Sequence, residues 1–338
     1  MRMTKKCMAI LIGAMMVFGV ANLAAAKTLN LKLQSHLPPG DTHRSLDRFV
    51  NTVKEMSKGE IVIKLFPGSS IVPMKELLET VGSGAIEIGY VAEGYWNKLI
   101  PVSEVAGLPF AFRNLWEAYD FMYNQGLAEV LNKEYAKFNV YHLPYESYPV
   151  GLMTKKPINT VEDFKGMKIR AYGVMAEWLT ELGTSTTYIP GGELYTALAT
   201  GVVDGAHWGD AGPMYVMKFH EVLKNYMLPE PIQGAWNNLM INMDVWKKMT
   251  PKQQEIIKAA AMGEGYRATT NTRILAEDSL NKMVADWKVK VNTLSPAEVD
   301  KMTEAAEKVW EKVAKKDPLN AEMINKMKAF LKKLGYIK

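Results

Sequence analysis

Apolar and polar residues alternate along 29–33, near the start of the chain. This two-residue period predicts a β-strand, because successive side chains of a strand point to opposite faces of a sheet. Further strands are predicted at 61–66, which is ended by Pro67-Gly68, and at 86–91. Between the segments, apolar residues recur at helical spacing, first after Thr42 or Ser45 and then through 74–81. The alternation of strands and helices predicts an α/β fold in which helices cover a mostly parallel sheet.

The same alternation resumes after residues 138–148, which we interpret as a connecting region. Strands are predicted at 151–154, 167–170 and 237–242, and helices at about 175–182, 193–200 and 212–222. The chain is too long for one ordinary hydrophobic core, so we expect two α/β lobes. A chain that crosses between the lobes more than once fits this order of elements.

Capping signals predict two late helices. Thr250 precedes a proline at the first helical position, and Gln253 stands where a capping box requires it. That helix is predicted to run to about Trp287, a length of about 55 Å at ~1.5 Å per residue, which exceeds the length of either lobe. We therefore expect it to pack across both lobes. Ser295, Pro296 and Glu298 repeat the signal and begin the next helix.

The N-terminus has the pattern of a secretory signal peptide. Basic residues precede an apolar run from Met8 to Val20, and three alanines before Lys27 provide a cleavage site. We predict that residues 1–26 are removed and that the mature protein is exported. Cys7 is the single cysteine and lies in the signal peptide, so disulfide, thiol-nucleophile and zinc-thiolate chemistry is excluded for the mature chain.

Removal of the signal peptide also changes the charge. The full chain has 41 basic and 36 acidic residues, and three basic residues leave with the signal peptide, so the mature net charge is +2. A nearly neutral protein gives no support for binding to nucleic acid or to an anionic membrane surface. Beyond the signal peptide, no segment has the apolar length of a membrane span.

Sequence signatures of enzymes are scarce. The chain contains no Gly-x-Ser-x-Gly elbow, phosphate-binding loop or dinucleotide fingerprint, and the five histidines lack metal-ligand spacing. His220-Glu221 is not followed by the second histidine of a zinc-protease helix. We therefore predict that the protein is not an enzyme.

Arg170 is the most informative single residue of the pattern. It ends a predicted strand of Met and Ile, where a plain core would hold no charge. Its planar fork of donors suits a carboxylate held by two parallel hydrogen bonds. A salt bridge to a neighbouring acid explains the same residue equally well. Polar and aromatic side chains follow other predicted strands, the edge at which open α/β sheets bind ligands.

Several segments together resemble the substrate-binding proteins of tripartite ATP-independent periplasmic (TRAP) transporters, the dicarboxylate-binding-protein family. They occur in order and span essentially the whole mature chain: His36-Leu37-Pro38-Pro39-Gly40, Phe66-Pro67-Gly68, Leu108-Pro109-Phe110-Ala111-Phe112-Arg113, 163–170, 192–198 with 203–205, and Asn242-Met243-Asp244-Val245-Trp246. The resemblance implies a two-lobed, periplasmic-binding-protein-like α/β fold with a hinge, a long helix crossing both lobes, and closure over one organic acid.

The resemblance also implies the residue roles. Arg170 matches the arginine that pairs with the ligand carboxylate, and Trp208 matches a tryptophan of the branch that binds 2-oxo acids and related monocarboxylates. Our predicted binding residues are Arg170, Trp208, Tyr148, His207, Glu93, Asn237, Gln233 and His36. We expect lobe I to comprise 27–147 with 234–274, and lobe II to comprise 148–233 with 275–338.

That branch often adds a cation held by a glutamine and two glutamates. The matching positions here are Pro149, His207 and Gln233, so the acidic ligands are missing. Neutral side chains hold a hard cation poorly. We therefore expect no metal and no cofactor, with the side chains meeting the ligand directly.

The sequence thus predicts a periplasmic receptor that delivers an organic monocarboxylate, aromatic or not, to the membrane subunits of a TRAP permease driven by an ion gradient. Two other functions fit the same residues: the receptor subunit of a sensory system, and a periplasmic lyase or isomerase acting on a carboxylate. The oligomeric state is left open.

Overall fold

The computed structural model of the protein describes residues 28–37 and 44–337. The predicted signal peptide with Cys7, and residues 38–40 of the predicted loop after His36, lie outside these residues. Within the described residues, ten strands form one mixed sheet: β1 (Leu29–Ser35), β2 (Ile61–Phe66), β3 (Ile88–Ala92), β4 (Val140–Thr154), β5 (Lys168–Arg170), β6 (Ser185–Thr187), β7 (Gly205–Gly209), β8 (Asn225–Leu228), β9 (Ile232–Asn242) and β10 (Lys290–Thr293).

Helices cover the sheet and connect its strands. They are α1 (Arg44–Met56), α2 (Leu77–Ser83), α3 (Leu115–Tyr123), α4 (Leu127–Ala136), α5 (Gly173–Glu181), α6 (Gly191–Thr200), α7 (Ala211–Val216), α8 (Phe219–Val222), α9 (Met243–Lys248), α10 (Pro251–Trp287), α11 (Pro296–Ala314) and α12 (Pro318–Lys333). The single helix predicted at 212–222 is in fact two, α7 and α8, because Lys218 between them has a left-handed backbone. Among residues 28–37 and 44–337, no helix combines the length and the apolar character needed to cross a membrane.

The strand order of the sheet is β2-β1-β3-β9-β4-β7-β5-β6, with β8 bridging β4 and β10. The pairs toward each end, such as β1 with β2 and β5 with β6, are parallel, as predicted. The pairs in the middle, β3 with β9, β4 with β9 and β4 with β7, are antiparallel. The prediction of a mostly parallel sheet is therefore correct for the two ends and wrong for the centre.

The predicted connecting region at 138–148 is wrong. Residues 140–154 form β4, which pairs with β9 over most of its length. Pro144 and Pro149 concealed this strand, since proline cannot donate to a sheet ladder and is tolerated at irregularities. The register of β4 against β9 shifts at two such places, between Pro144 and Glu146 and between Tyr148 and Val150.

Helix α10 packs on both ends of the sheet. Its first half places Ile257 and Ala260 in a hydrophobic cluster with β1, β2 and α1. Its second half places Ala276 and Met283 in another cluster, with β7 and α6 to α8. The long crossing helix is thus confirmed, and so is its predicted capping box, in which Thr250 accepts from the backbone of Gln253.

The last two helices tie distant parts of the chain together. Trp178 on α5 donates to the backbone oxygen of Met302 on α11, at 3.2 Å. Trp310 on α11 donates to the backbone oxygen of Pro109, at 3.0 Å. Helix α11 therefore contacts segments of both predicted lobes, and the lobe boundaries given above stay a prediction.

Candidate functional site

Arg170 lies at the carboxyl end of β5 and is 3% exposed. Its Nε donates to the backbone oxygen of Ile189 at 3.1 Å, and its Nη1 donates to that of His207 at 2.9 Å. Both acceptors are neutral, and burial lowers the pKa of the guanidinium below its ordinary value. Within the described part of the chain Arg170 makes no ion pair, so the alternative of a structural salt bridge has no support there. A buried charge that lacks a counter-charge is costly unless a ligand provides one.

Aromatic rings surround the guanidinium. Its central carbon lies 4.6 Å from the ring centroid of Trp208, 5.2 Å from that of Tyr172 and 5.5 Å from that of Tyr188. Each such contact stabilises a cation by about 0.5–2 kcal/mol. Trp208 packs against the first residue of α6, which is Gly191. A Cβ at this position would lie 2.8 Å from the indole ring, so glycine leaves room for the tryptophan.

His207 on β7 provides neutral polar atoms beside the arginine. It is 4% exposed, and its two ring nitrogens have no hydrogen-bond partner among the described residues. Burial, together with the charge of Arg170, lowers the pKa of the imidazole to about 3. The ring is therefore neutral at physiological pH and offers one donor and one acceptor. Its centroid lies 5.6 Å from that of Tyr172.

Further rings extend from Tyr172 toward β1 and β3. The centroid of Tyr95 lies 6.3 Å from that of Tyr172 and 5.8 Å from that of His36. The centroid of His36 in turn lies 5.5 Å from that of Tyr90. Burial raises the pKa of the Tyr95 hydroxyl, helped by Tyr172 and Tyr188. These rings connect segments from the two predicted lobes.

A polar cluster follows at the end of this series of rings. Asn237 on β9 donates to the Tyr90 hydroxyl at 2.7 Å and to Glu146 Oε1 at 2.9 Å. The Tyr90 hydroxyl also donates to Glu146 Oε1. Tyr148 donates to Asn237 Oδ1 at 3.4 Å. Burial raises the pKa of the Glu146 carboxyl, although the bonds from Tyr90 and Asn237 oppose that effect.

Glu93 lies in a different network. Its carboxylate accepts from Tyr135 at 2.8 Å and from Asn238 at 2.8 Å, and it lies 2.7 Å from His142 Nε2. Tyr135 lies on α4, His142 on β4 and Asn238 on β9, and together they occupy the carboxylate. We therefore leave Glu93 outside the set of residues that we propose to contact a ligand.

Gln233 makes its hydrogen bonds with Glu230. Its Nε2 donates to Glu230 Oε2 at 2.8 Å, while Tyr226 and Arg273 contact Oε1 of the same glutamate at 3.2 and 3.5 Å. Burial raises the pKa of the neighbouring Asp210 to about 7, and Glu230 adds to this effect.

The residues at the positions of the branch's cation ligands do not fit a cation. His207 lies beside the positive charge of Arg170, and the amide of Gln233 is engaged with Glu230. Pro149 has no side-chain donor atom. In the described ranges, no three acidic, histidine or cysteine side chains lie close enough together to hold a metal ion.

The structure thus brings Arg170, Trp208 and His207 together, and a series of rings connects them to His36, Tyr148 and Asn237. Tyr95, Tyr188 and Glu146 were not among the predicted binding residues. Tyr188 precedes Pro190 in a segment without periodicity, and Glu146 lay in the supposed connecting region. Neither residue had a signal beyond its chemical type.

Comparison with known proteins shows the family of the chain. Residues 35–317 match the family described as bacterial extracellular solute-binding protein, family 7. A monocarboxylate 2-oxoacid-binding periplasmic protein of Nostoc sp. is 28% identical over 292 residues, which cover 83% of this chain and 78% of that protein.

Solved structures agree as well. A TRAP periplasmic solute binding protein from Colwellia psychrerythraea, with bound calcium and pyruvate, has a TM-score of 0.81 at 25% identity and covers 91% of this chain and 95% of its own. One from Bordetella bronchiseptica has a TM-score of 0.82 at 24% identity, over 91% and 93% of the two chains, and thus the same two-lobed fold. The chain belongs to family 7 of the bacterial extracellular solute-binding proteins, the TRAP solute receptors.

Proposed function

We propose that this protein is the solute receptor of a TRAP transporter and that it binds an organic monocarboxylate, a 2-oxo acid or a related acid, through Arg170. The observation that carries the proposal is the buried guanidinium of Arg170. All of its hydrogen-bond partners among the described residues are neutral. A carboxylate would supply the missing counter-charge, and the planar fork would hold it by two parallel hydrogen bonds.

The neighbours of Arg170 support a small planar acid. Trp208, Tyr172 and Tyr188 provide flat faces around the charge. The neutral ring of His207 supplies a donor or an acceptor for an oxygen next to the carboxylate, such as the keto oxygen of a 2-oxo acid. The ligand named for the Nostoc relative and the pyruvate in the Colwellia structure belong to this class.

The rings that connect the two predicted lobes support closure over the ligand. Tyr95 and Tyr172 come from opposite predicted lobes and meet at 6.3 Å beside the arginine. A ligand held between them would be shielded from water, and the closed receptor would then dock on the permease. The family is periplasmic, and we place this receptor in the periplasm, exported by the predicted signal peptide.

The ligand itself tests the proposal. Mass spectrometry of the compound released from purified, denatured protein should identify a carboxylic acid. A thermal-shift screen should then rank small organic acids, since a ligand at a hundredfold excess over Kd stabilises the folded protein by about 2.7 kcal/mol. Stabilisation by sugars or polyamines alone would contradict the proposal.

A further inference from the structure

We propose that Glu146 forms a second, acidic pole of the binding site, and that the receptor prefers carboxylates bearing a protonated amine at the end opposite the carboxylate. This inference rests on the proposed function, because it takes Arg170 as the pole for the carboxylate. It adds a specificity-determining residue from the other predicted lobe.

The first support is a continuous series of contacts from Arg170 to Glu146. The rings of Tyr172, Tyr95, His36 and Tyr90 follow one another with centroids 5.5 to 6.3 Å apart. Tyr172 contacts the guanidinium at one end of the series, and the Tyr90 hydroxyl bonds Glu146 at the other. Glu146 therefore stands at the far end of the same aromatic wall that begins at the arginine.

The second support is the access to Glu146. Glu146 is a partly exposed residue, whereas Asn237 is 5% exposed and Tyr90 is fully buried. The neighbouring Tyr148 is partly exposed as well, and its hydroxyl pKa is raised by burial and by Tyr172, Glu146 and Tyr95. Glu146 thus lies among residues of the aromatic wall and is not fully enclosed by the protein.

The third support is the charge of the two poles. The donors to Glu146 are the neutral side chains of Tyr90, Asn237 and Ser45, and no ion pair to it is found among residues 28–37 and 44–337. The nearby charge of Arg48 lowers the pKa of the Glu146 carboxyl, but Arg48 makes its own ion pair with Glu264, at 3.1 Å. A carboxylate has about four acceptor sites, so the bonds from Tyr90, Asn237 and Ser45 leave at least one for a ligand.

Each pole therefore holds one desolvated charge on neutral partners, positive at Arg170 and negative at Glu146. An uncharged hydroxyl would bond Glu146 but would leave its charge uncompensated. A ligand with a carboxylate at one end and an ammonium at the other supplies both counter-charges at once. The aromatic faces between the poles suit the apolar body of such a ligand, and they attract a cation as well.

Matched pairs of acids test the second pole. We would titrate pentanoate against 5-aminopentanoate, and 4-methylbenzoate against 4-(aminomethyl)benzoate, by calorimetry at pH 7. In the wild-type protein, the amine-bearing acid of at least one pair should bind ten or more times as tightly as the acid of that pair without an amine. In Glu146→Gln the ratio should fall below threefold, while the affinity for the plain acid stays within threefold of wild type.

Two further variants keep the test decisive. Tyr90→Phe keeps the ring and removes one donor to Glu146, so it should lower the preference at least threefold even where Glu146→Gln folds poorly. Glu104→Gln changes a buried glutamate that already has a counter-charge in Lys316, and it should leave the preference unchanged.

The outcomes separate this inference from the function on which it rests. Plain acids that bind through Arg170 with no preference for the amine, or a preference that persists in Glu146→Gln, would overturn the second pole and leave the carboxylate receptor standing. Binding of these acids that survives Arg170→Ala would overturn the carboxylate site itself.

Discussion

Arg170 Nη1 donates a 2.9 Å hydrogen bond to the backbone oxygen of His207, one strand away in the sheet. The bond fixes the arginine side chain without neutralising it, because the acceptor is a neutral carbonyl. The same contact brings the charge close to the imidazole and helps to keep it unprotonated. The two residues thus form a rigid pair that combines one cation with one neutral ring.

The first prediction concerns the anchor itself. Arg170→Lys should weaken binding of the best carboxylate at least tenfold, since an ammonium lacks the planar fork. Arg170→Ala should cost about 2–5 kcal/mol, the usual loss when one partner of a buried charge pair is removed. Isothermal titration measures both variants, with circular dichroism to verify folding.

Arg273→Lys is the matched control for these variants. Arg273 is an α10 arginine already paired with Glu230 and Glu277, and its replacement should leave the affinity near that of wild type. Wild-type affinity in Arg170→Ala would instead make Arg170 a structural residue.

The second prediction is that binding needs no cation. His207 and Gln233 are neutral, and Arg170 repels positive charge from the region next to His207. Dialysis against a chelator in sodium-free buffer should leave the Kd of the best acid within threefold. A loss of tenfold or more that calcium or sodium restores would reveal a cation site built from other oxygens.

The third prediction is a pH-dependent stability set by Asp210, which is 1% exposed. Its Oδ1 accepts from the backbone of Gly212, while Oδ2 has no partner among the described residues, and burial raises the pKa to about 7. A raised pKa means that the protonated form is favoured in the folded state. Its contribution to stability is therefore complete below the ordinary pKa of 3.8 and is lost as the pH rises through 7.

Asp210→Asn removes this ionisation and keeps the capping oxygen. The free energy of unfolding of the variant, relative to wild type, should rise between pH 4 and pH 8 by up to about 4 kcal/mol. Urea unfolding at pH 4, 6 and 8 measures the difference. A constant difference across this range would show that Asp210 is already ionised.

The fourth prediction concerns the close approach of α10 to β4. A Cβ at Gly265 would overlap the backbone carbonyl of Tyr145, whereas a Cβ at Gly263, two residues earlier on the same helix, would meet no atom within 4 Å. Gly265→Ala should lower the free energy of unfolding by about 3 kcal/mol, because backbone atoms have to move. Gly263→Ala should raise it by about 0.5–1 kcal/mol through helix propensity. Denaturant unfolding of the two variants checks the contrast, and equal effects would refute it.

Local pattern was sufficient for many elements. Strands β1, β2 and β5, and helices α10 and α11, lie close to where period and capping residues placed them. Ser295 accepts from Glu298 as its capping signal requires. These elements are set by interactions among residues a few positions apart, which a sequence displays directly. Strand β4 was missed because its two prolines resemble loop residues and only pairing with β9 makes it a strand.

For the candidate site, the sequence determined which residues are charged and which are aromatic, and Arg170, His207 and Trp208 were among the predicted binding residues. Only the tertiary structure decided how those residues are used. It placed Glu93 in a network with His142, joined Gln233 to Glu230, and brought Tyr95 against Tyr172. The physical reason is that burial and partner choice depend on contacts between residues far apart in the chain, and the spacing of side chains along the sequence does not encode those contacts.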